Sequence, residues 1–155
     1  MSKAESPAPK PYKERVLPSL GSFAAVSFLF PAIALVLEPF NLFIGIVIGL
    51  VVTILSWLAL VLMAPVIYLQ GKLLRVGKAE IALGQLGKIE IIEKSRIFEE
   101  RGPLLNSAAY RVFQGSVRTA LKVQVLDNSD PTPYWLFSSR RPAELAEAIE
   151  NWRRF

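Results

Sequence analysis

The sequence contains no cysteine and no histidine. Without cysteine no disulfide framework can staple the chain, and without histidine the commonest general base and the commonest zinc ligand are both missing. A third scarcity is local. Residues 16–71, 56 positions in all, carry one formal charge, Glu38, while the remaining 99 residues hold 30 of the 31 charged side chains. No water-soluble fold of this size needs such a stretch, so the composition excludes a wholly soluble globular protein.

What charge there is orients the chain. Residues 1–15 hold four basic and two acidic side chains, and residues 72–155 hold 14 basic and ten acidic. Basic residues therefore flank the apolar block on both sides, with Lys72, Arg75 and Lys78 close behind it, whereas the stretch around Glu38 has none. The positive-inside rule then places both termini in the cytoplasm and the protein in the cell (inner) membrane as a multi-pass chain.

Residues 1–16, with Pro7, Pro9 and Pro11 among Ser, Ala, Lys and Glu, read as a disordered cytoplasmic tail. Residues 17–37 are uncharged and as a helix span roughly 31 Å, the hydrocarbon thickness of a bilayer. Within this first transmembrane helix Pro31 removes a backbone donor and predicts a kink near Ser27. Residues 38–41, Glu-Pro-Phe-Asn, predict an external turn. Residues 42–65 give a second transmembrane helix, ended by Pro65. A basic start, an apolar stretch over residues 20–30 and the small residues Ala32 and Ala34 also resemble a secretory signal. The apolar run continues through Leu37, however, and no polar mature sequence follows, which favours the hairpin.

From residue 66 the periodicity changes from helical to alternating. Short strands are expected at 66–70, 73–76, around Ile81, at 89–92, 110–114, 117–126 and 134–138, with Gly or Asn-Ser-Asp-Pro chemistry at the reversals. Residues 95–109 read as a helical turn and loop. From Pro142 a helix presents Leu145, Ala148, Ile149 and Trp152 at i, i+3, i+4 and i+7. The expected fold class is thus an α+β membrane protein: a transmembrane helical hairpin, then a small antiparallel β-barrel over residues 66–155 with a C-terminal amphipathic helix. Seven short strands and one terminal helix is the content of a pleckstrin-homology-like domain.

The string Asp-Pro-Thr-Pro-Tyr-Trp-Leu-Phe-Ser-Ser-Arg-Arg-Pro-Ala-Glu-Leu at residues 130–145 resembles an actinobacterial family of two-helix membrane proteins of unknown function. Tyr12, Glu14 and Arg15 before the apolar block, and Leu74, Arg75, Val76 and Gly77 after it, extend the resemblance. It implies an inner-membrane hairpin carrying a small cytoplasmic domain of bacterial pleckstrin-homology type. No activity, cofactor or catalytic residue comes with it.

Gly45 and Gly49 form a GxxxG step in an apolar helix, suited to close packing either against the first helix of the same chain or in a homodimer. Lys72, Arg75, Lys78, Arg140 and Arg141 are candidates for contact with anionic lipid headgroups or a protein partner. The first three also serve as topogenic charges. Tyr134, Trp135 and Phe137 are expected in the core. Ser138, Ser139 and Asp130 suggest no hydrolase, because no histidine exists to activate a serine. The basic excess lacks any nucleic-acid-binding motif. The function expected is a membrane-anchored, non-enzymatic binding or scaffolding module, without cofactor or metal. The alternative is an accessory or regulatory subunit of a larger membrane complex.

Overall fold

Strand β1 (Tyr12–Arg15) precedes the apolar segment and pairs antiparallel with β2 (Val66–Gln70), which follows it. The computed structural model describes residues 9–127 and 129–155. Residues 9–16, Pro65–Phe113 and Val117–Phe155 build one compact unit; Leu17–Ala64 with Gln114–Ser116 build another.

In the first unit β1 and β2 continue into β3 (Leu73–Val76) and β4 (Ala79–Ala82), giving an antiparallel sheet in the order β1-β2-β3-β4. Two-residue turns join β2 to β3 and β3 to β4. Each opens on a glycine at positive φ, Gly71 at 60° and Gly77 at 62°, where other residues would be strained. Alternation decides the faces. Glu14, Val16, Ile67, Leu69, Leu74, Val76 and Ile81 turn inward and are buried, while Lys13, Arg15, Arg75 and Glu80 are exposed. After a 3₁₀ turn at Leu83–Gln85, β5 (Leu86–Ile92), α3 (Ile97–Arg101), β6 (Tyr110–Val112), β7 (Ala120–Val125) and β8 (Tyr134–Ser138) form a second sheet in the order β5-β7-β8-β6. Helix α4 (Pro142–Arg154) buries Leu145, Ile149 and Trp152 in the core that both sheets share with Trp135 and Phe137.

Two expectations are corrected here. The tail drawn over residues 1–16 is a strand from Tyr12 to Arg15, because its partner β2 supplies a full antiparallel ladder; residues 1–8 lie outside the described residues. The closed barrel is replaced by two open sheets, and β6 runs parallel to β8. The long excursion between β5 and β6, containing α3, frees β6 from a hairpin with its predecessor, so β7 takes the place beside β5.

In the second unit α1 (Leu20–Ser27) starts at the N-cap Ser19, whose hydroxyl accepts the Ser22 amide. A break at Phe28, three residues before Pro31, separates it from α2 (Leu29–Leu62). Asn41 interrupts α2 with extended backbone (φ −167°, ψ 110°), and its Oδ1 accepts the Ile44 amide at 3.1 Å, capping the arm that follows. The expected turn over residues 38–41 therefore shrinks to Asn41, since Glu38, Pro39 and Phe40 keep helical backbone. The expected end of the second helix at residue 65 moves to Leu62, ahead of Pro65. Most side chains of the segment are apolar and exposed, Phe40 at 87% and Phe43 at 74% among them, while Gly45, Gly49 and Thr53 are buried.

Candidate functional site

Register across the first sheet fixes its outer face row by row. Arg15 lies opposite Val66, and the Gly77 amide donates to the Val66 carbonyl at 2.9 Å, with Lys78 next in the turn. The next row runs Lys13, Tyr68, Arg75, Glu80, and beyond it come Gln70, Leu73 and Ala82. Lys13, Val66, Tyr68, Arg75 and Gly77 line a shallow groove of about 480 Å³. The Tyr68 hydroxyl bonds to Gln70, and Arg75 pairs with Glu80 at 3.4 Å. No acidic partner reaches Lys13, Arg15 or Lys78 among the described residues.

The five basic residues singled out in the sequence therefore divide. Arg75 and Lys78 belong to this face. Lys72 sits in the β2–β3 turn, at the opposite end of β2 from Val66. Arg140 and Arg141 lie between β8 and α4 on the other side of β1: the Arg140 amide donates to Glu14 Oε1 at 2.7 Å, and Arg141 stands over the Tyr12 ring at 5.4 Å while pairing with Glu144. Lys13 and Arg15 join the face unforeseen, beside Tyr68. The signal was the alternation Tyr-Lys-Glu-Arg-Val at residues 12–16, masked by the three prolines before it.

Inside β1, Glu14 is 5% exposed and collects the Tyr12 hydroxyl at 2.8 Å and the Ser139 hydroxyl at 2.7 Å besides the Arg140 amide. Burial, and then the bond to Glu14, hold the Tyr12 phenol well above its ordinary pKa. Ser139 is fully buried by this bond, and Ser138 accepts from Arg101 at 2.8 Å, so neither hydroxyl faces solvent as a nucleophile would. A second buried carboxylate, Glu100 in α3, is held by Arg96 at 2.7 Å and Lys122 at 2.8 Å. Desolvation lowers the pKa of the neighbouring Arg101, whose guanidinium also packs over Phe113.

Gly45 and Gly49 face the earlier part of the same chain. A methyl group added at Gly45 would meet the Ala34 carbonyl at 3.0 Å, and one at Gly49 the Phe30 carbonyl at 2.8 Å. Further along, Trp57 Nε1 donates to the Phe23 carbonyl at 3.3 Å.

Together these features define a class: a two-sheet α+β unit, interrupted after its first strand by a long apolar helical segment, with a basic aromatic face on one sheet. Residues 11–149 match the family described as a protein of unknown function, DUF3093, and the chain belongs to that family. Comparison with curated proteins and with solved structures gives no match.

Proposed function

We propose that the apolar segment crosses the cytoplasmic membrane twice as a helical hairpin and presents the two-sheet unit at the inner face as a binding or scaffolding module, not an enzyme. The observation that carries this reading is the Val16 amide bonded to the Pro65 carbonyl at 2.9 Å, continuing the β1–β2 ladder. The apolar segment starts and ends at one place, which a single crossing of a ~30 Å hydrocarbon layer does not permit. The contacts Ala34–Gly45, Phe30–Gly49 and Phe23–Trp57 support a reversal, because partners diverge in sequence evenly on either side of Pro39 and Phe40, next to the break at Asn41. Cations at both ends of the segment, against Glu38 alone near its middle, support an inner location for the two-sheet unit. Kinship with pleckstrin-homology-like modules, suggested by two small sheets and a terminal amphipathic helix, belongs to the same proposal.

The absence of cysteine makes the test direct. Glu38→Cys should react with a membrane-impermeant maleimide in intact cells, whereas Glu144→Cys should react only after lysis, and both should resist carbonate extraction. Labelling of Glu144→Cys in intact cells would reverse the orientation; release by carbonate would remove the membrane from the proposal.

A further inference from the structure

We infer that the outer face of the first sheet, at Lys13, Arg15, Tyr68, Arg75 and Lys78, binds the phosphate of anionic phospholipid headgroups in the bilayer that holds the apolar segment. The inference rests on the membrane reading above and adds a ligand class and a surface to it.

Chain connectivity places one end of this face beside the residues where the apolar segment begins and ends. Arg15 and Val66 are bonded to Val16 and Pro65, the residues through which the chain leaves for the apolar segment and returns. Charge then falls off along the strands in the direction that matters. The row nearest the junction carries Arg15 with Lys78 beside it, and the next carries Lys13 and Arg75. The third, Gln70, Leu73 and Ala82, carries none. At about 3.3 Å per residue the second row is about 7 Å from the first and the third about 13 Å. Attraction to a charged surface fades over a Debye length of about 8 Å, and the cations occupy the two rows nearest the junction with the apolar segment.

The groove gives these charges a shape. Its walls carry Lys13 and Arg75 on either side of Tyr68, whose half-buried ring with an outward hydroxyl suits the boundary between acyl chain and headgroup. Among the described residues no carboxylate pairs with Lys13, Arg15 or Lys78, and Glu80 is the one acid in these rows, bound to Arg75. Arg75 can offer its fork to a phosphate by exchanging that exposed and therefore weak ion pair. A soluble acidic protein would satisfy the same charges, but the tether keeps the unit close to the bilayer, where anionic phosphate is present at high local concentration.

The test uses the full chain, expressed in membranes of known phosphatidylglycerol and phosphatidylethanolamine content and purified in mild detergent, with retained phospholipid quantified. The expected result is phosphatidylglycerol enriched at least about threefold over the membrane ratio, falling to that ratio in Lys13→Gln/Arg75→Gln and as salt is raised. Arg75→Lys/Lys13→Arg should keep the enrichment, and Glu80→Gln, which frees Arg75, should raise it. Lys72→Gln, at the far end of β2, should leave it unchanged. Retention at the membrane ratio by the wild-type chain, or enrichment indifferent to Lys13, Arg75 and Glu80, overturns the inference. Carbonate extraction of the same membranes separates the two proposals: a chain that stays in the pellet without lipid preference keeps the membrane reading and loses this one.

Discussion

Glu14 accepts the Ser139 hydroxyl at 2.7 Å although 125 residues separate them, and this bond ties the strand before the apolar segment to the junction of β8 and α4. The first strand is thus fastened twice, by its backbone ladder to β2 and by one buried carboxylate to the end of the second sheet. A domain interrupted after its first strand needs such a fastening, since the chain must leave and return before the rest of the sheet exists.

Tyr12 reports on this fastening. Its folded pKa lies above the usual 10.0, because burial and the Glu14 carboxylate both disfavour the phenolate. The neutral phenol therefore stabilises the fold fully below pH 10, and that contribution is lost as pH rises toward the raised folded value. In an alkaline titration followed by tyrosinate absorbance, one of the four tyrosines should ionise late, together with unfolding. The late component should vanish in Tyr12→Phe. Glu14→Ala, which strands buried donors, should lower stability by about 2 kcal/mol in denaturant unfolding of the detergent-solubilised chain.

The sequence shows the elements whose pairing is local. Strands β2, β3 and β8 and the start of α4 fall where alternation, Gly71, Gly77 and Pro142 place them, because hairpin turns and helix starts are written in adjacent residues. β1 escaped notice because its partner lies beyond the whole apolar segment, and Pro9 and Pro11 next to it suggest disorder. The parallel β6–β8 pair is likewise non-local. The candidate site was half visible for the same reason. Arg75 and Lys78 stand out as charges after an apolar run, but that Lys13 and Tyr68 flank the same groove depends on cross-strand register, which a single strand does not reveal.

Close packing within the apolar segment makes a graded prediction. At Gly49 an added Cβ would lie 2.8 Å from the Phe30 carbonyl, a backbone atom that cannot swing aside; at Gly45 the nearest atom, also a carbonyl, is at 3.0 Å. Gly49→Ala should therefore destabilise the segment more than Gly45→Ala, with a cost of about 1–3 kcal/mol for the worse of the two. Gly84→Ala, with no atom within 4 Å, serves as the neutral comparison. Unfolding in detergent, followed by far-ultraviolet circular dichroism, ranks the three variants. Equal behaviour at residues 45, 49 and 84 would mean that the helices are not in close contact in solution.

The terminal helix makes the last prediction. Trp152 is 8% exposed, completes the Leu145–Ile149–Trp152 stripe against the core, and donates its indole N–H to the Lys10 carbonyl at 3.4 Å. Its ring meets Phe155 edge-on at 5.9 Å. Two effects are combined here, and two substitutions separate them. Trp152→Ala removes the largest apolar surface of the helix and leaves a cavity, which should cost about 3–5 kcal/mol, a large share of the stability of a small domain. Trp152→Phe keeps most of the buried area and loses only the long bond to Lys10, so it should cost about 1 kcal/mol in bonding plus a smaller packing loss. Thermal unfolding of the full chain in detergent, with far-ultraviolet circular dichroism as the readout, distinguishes them. If Trp152→Ala melts with the wild type, α4 does not hold the core closed, and its Leu145–Ile149–Trp152 face is free for another surface.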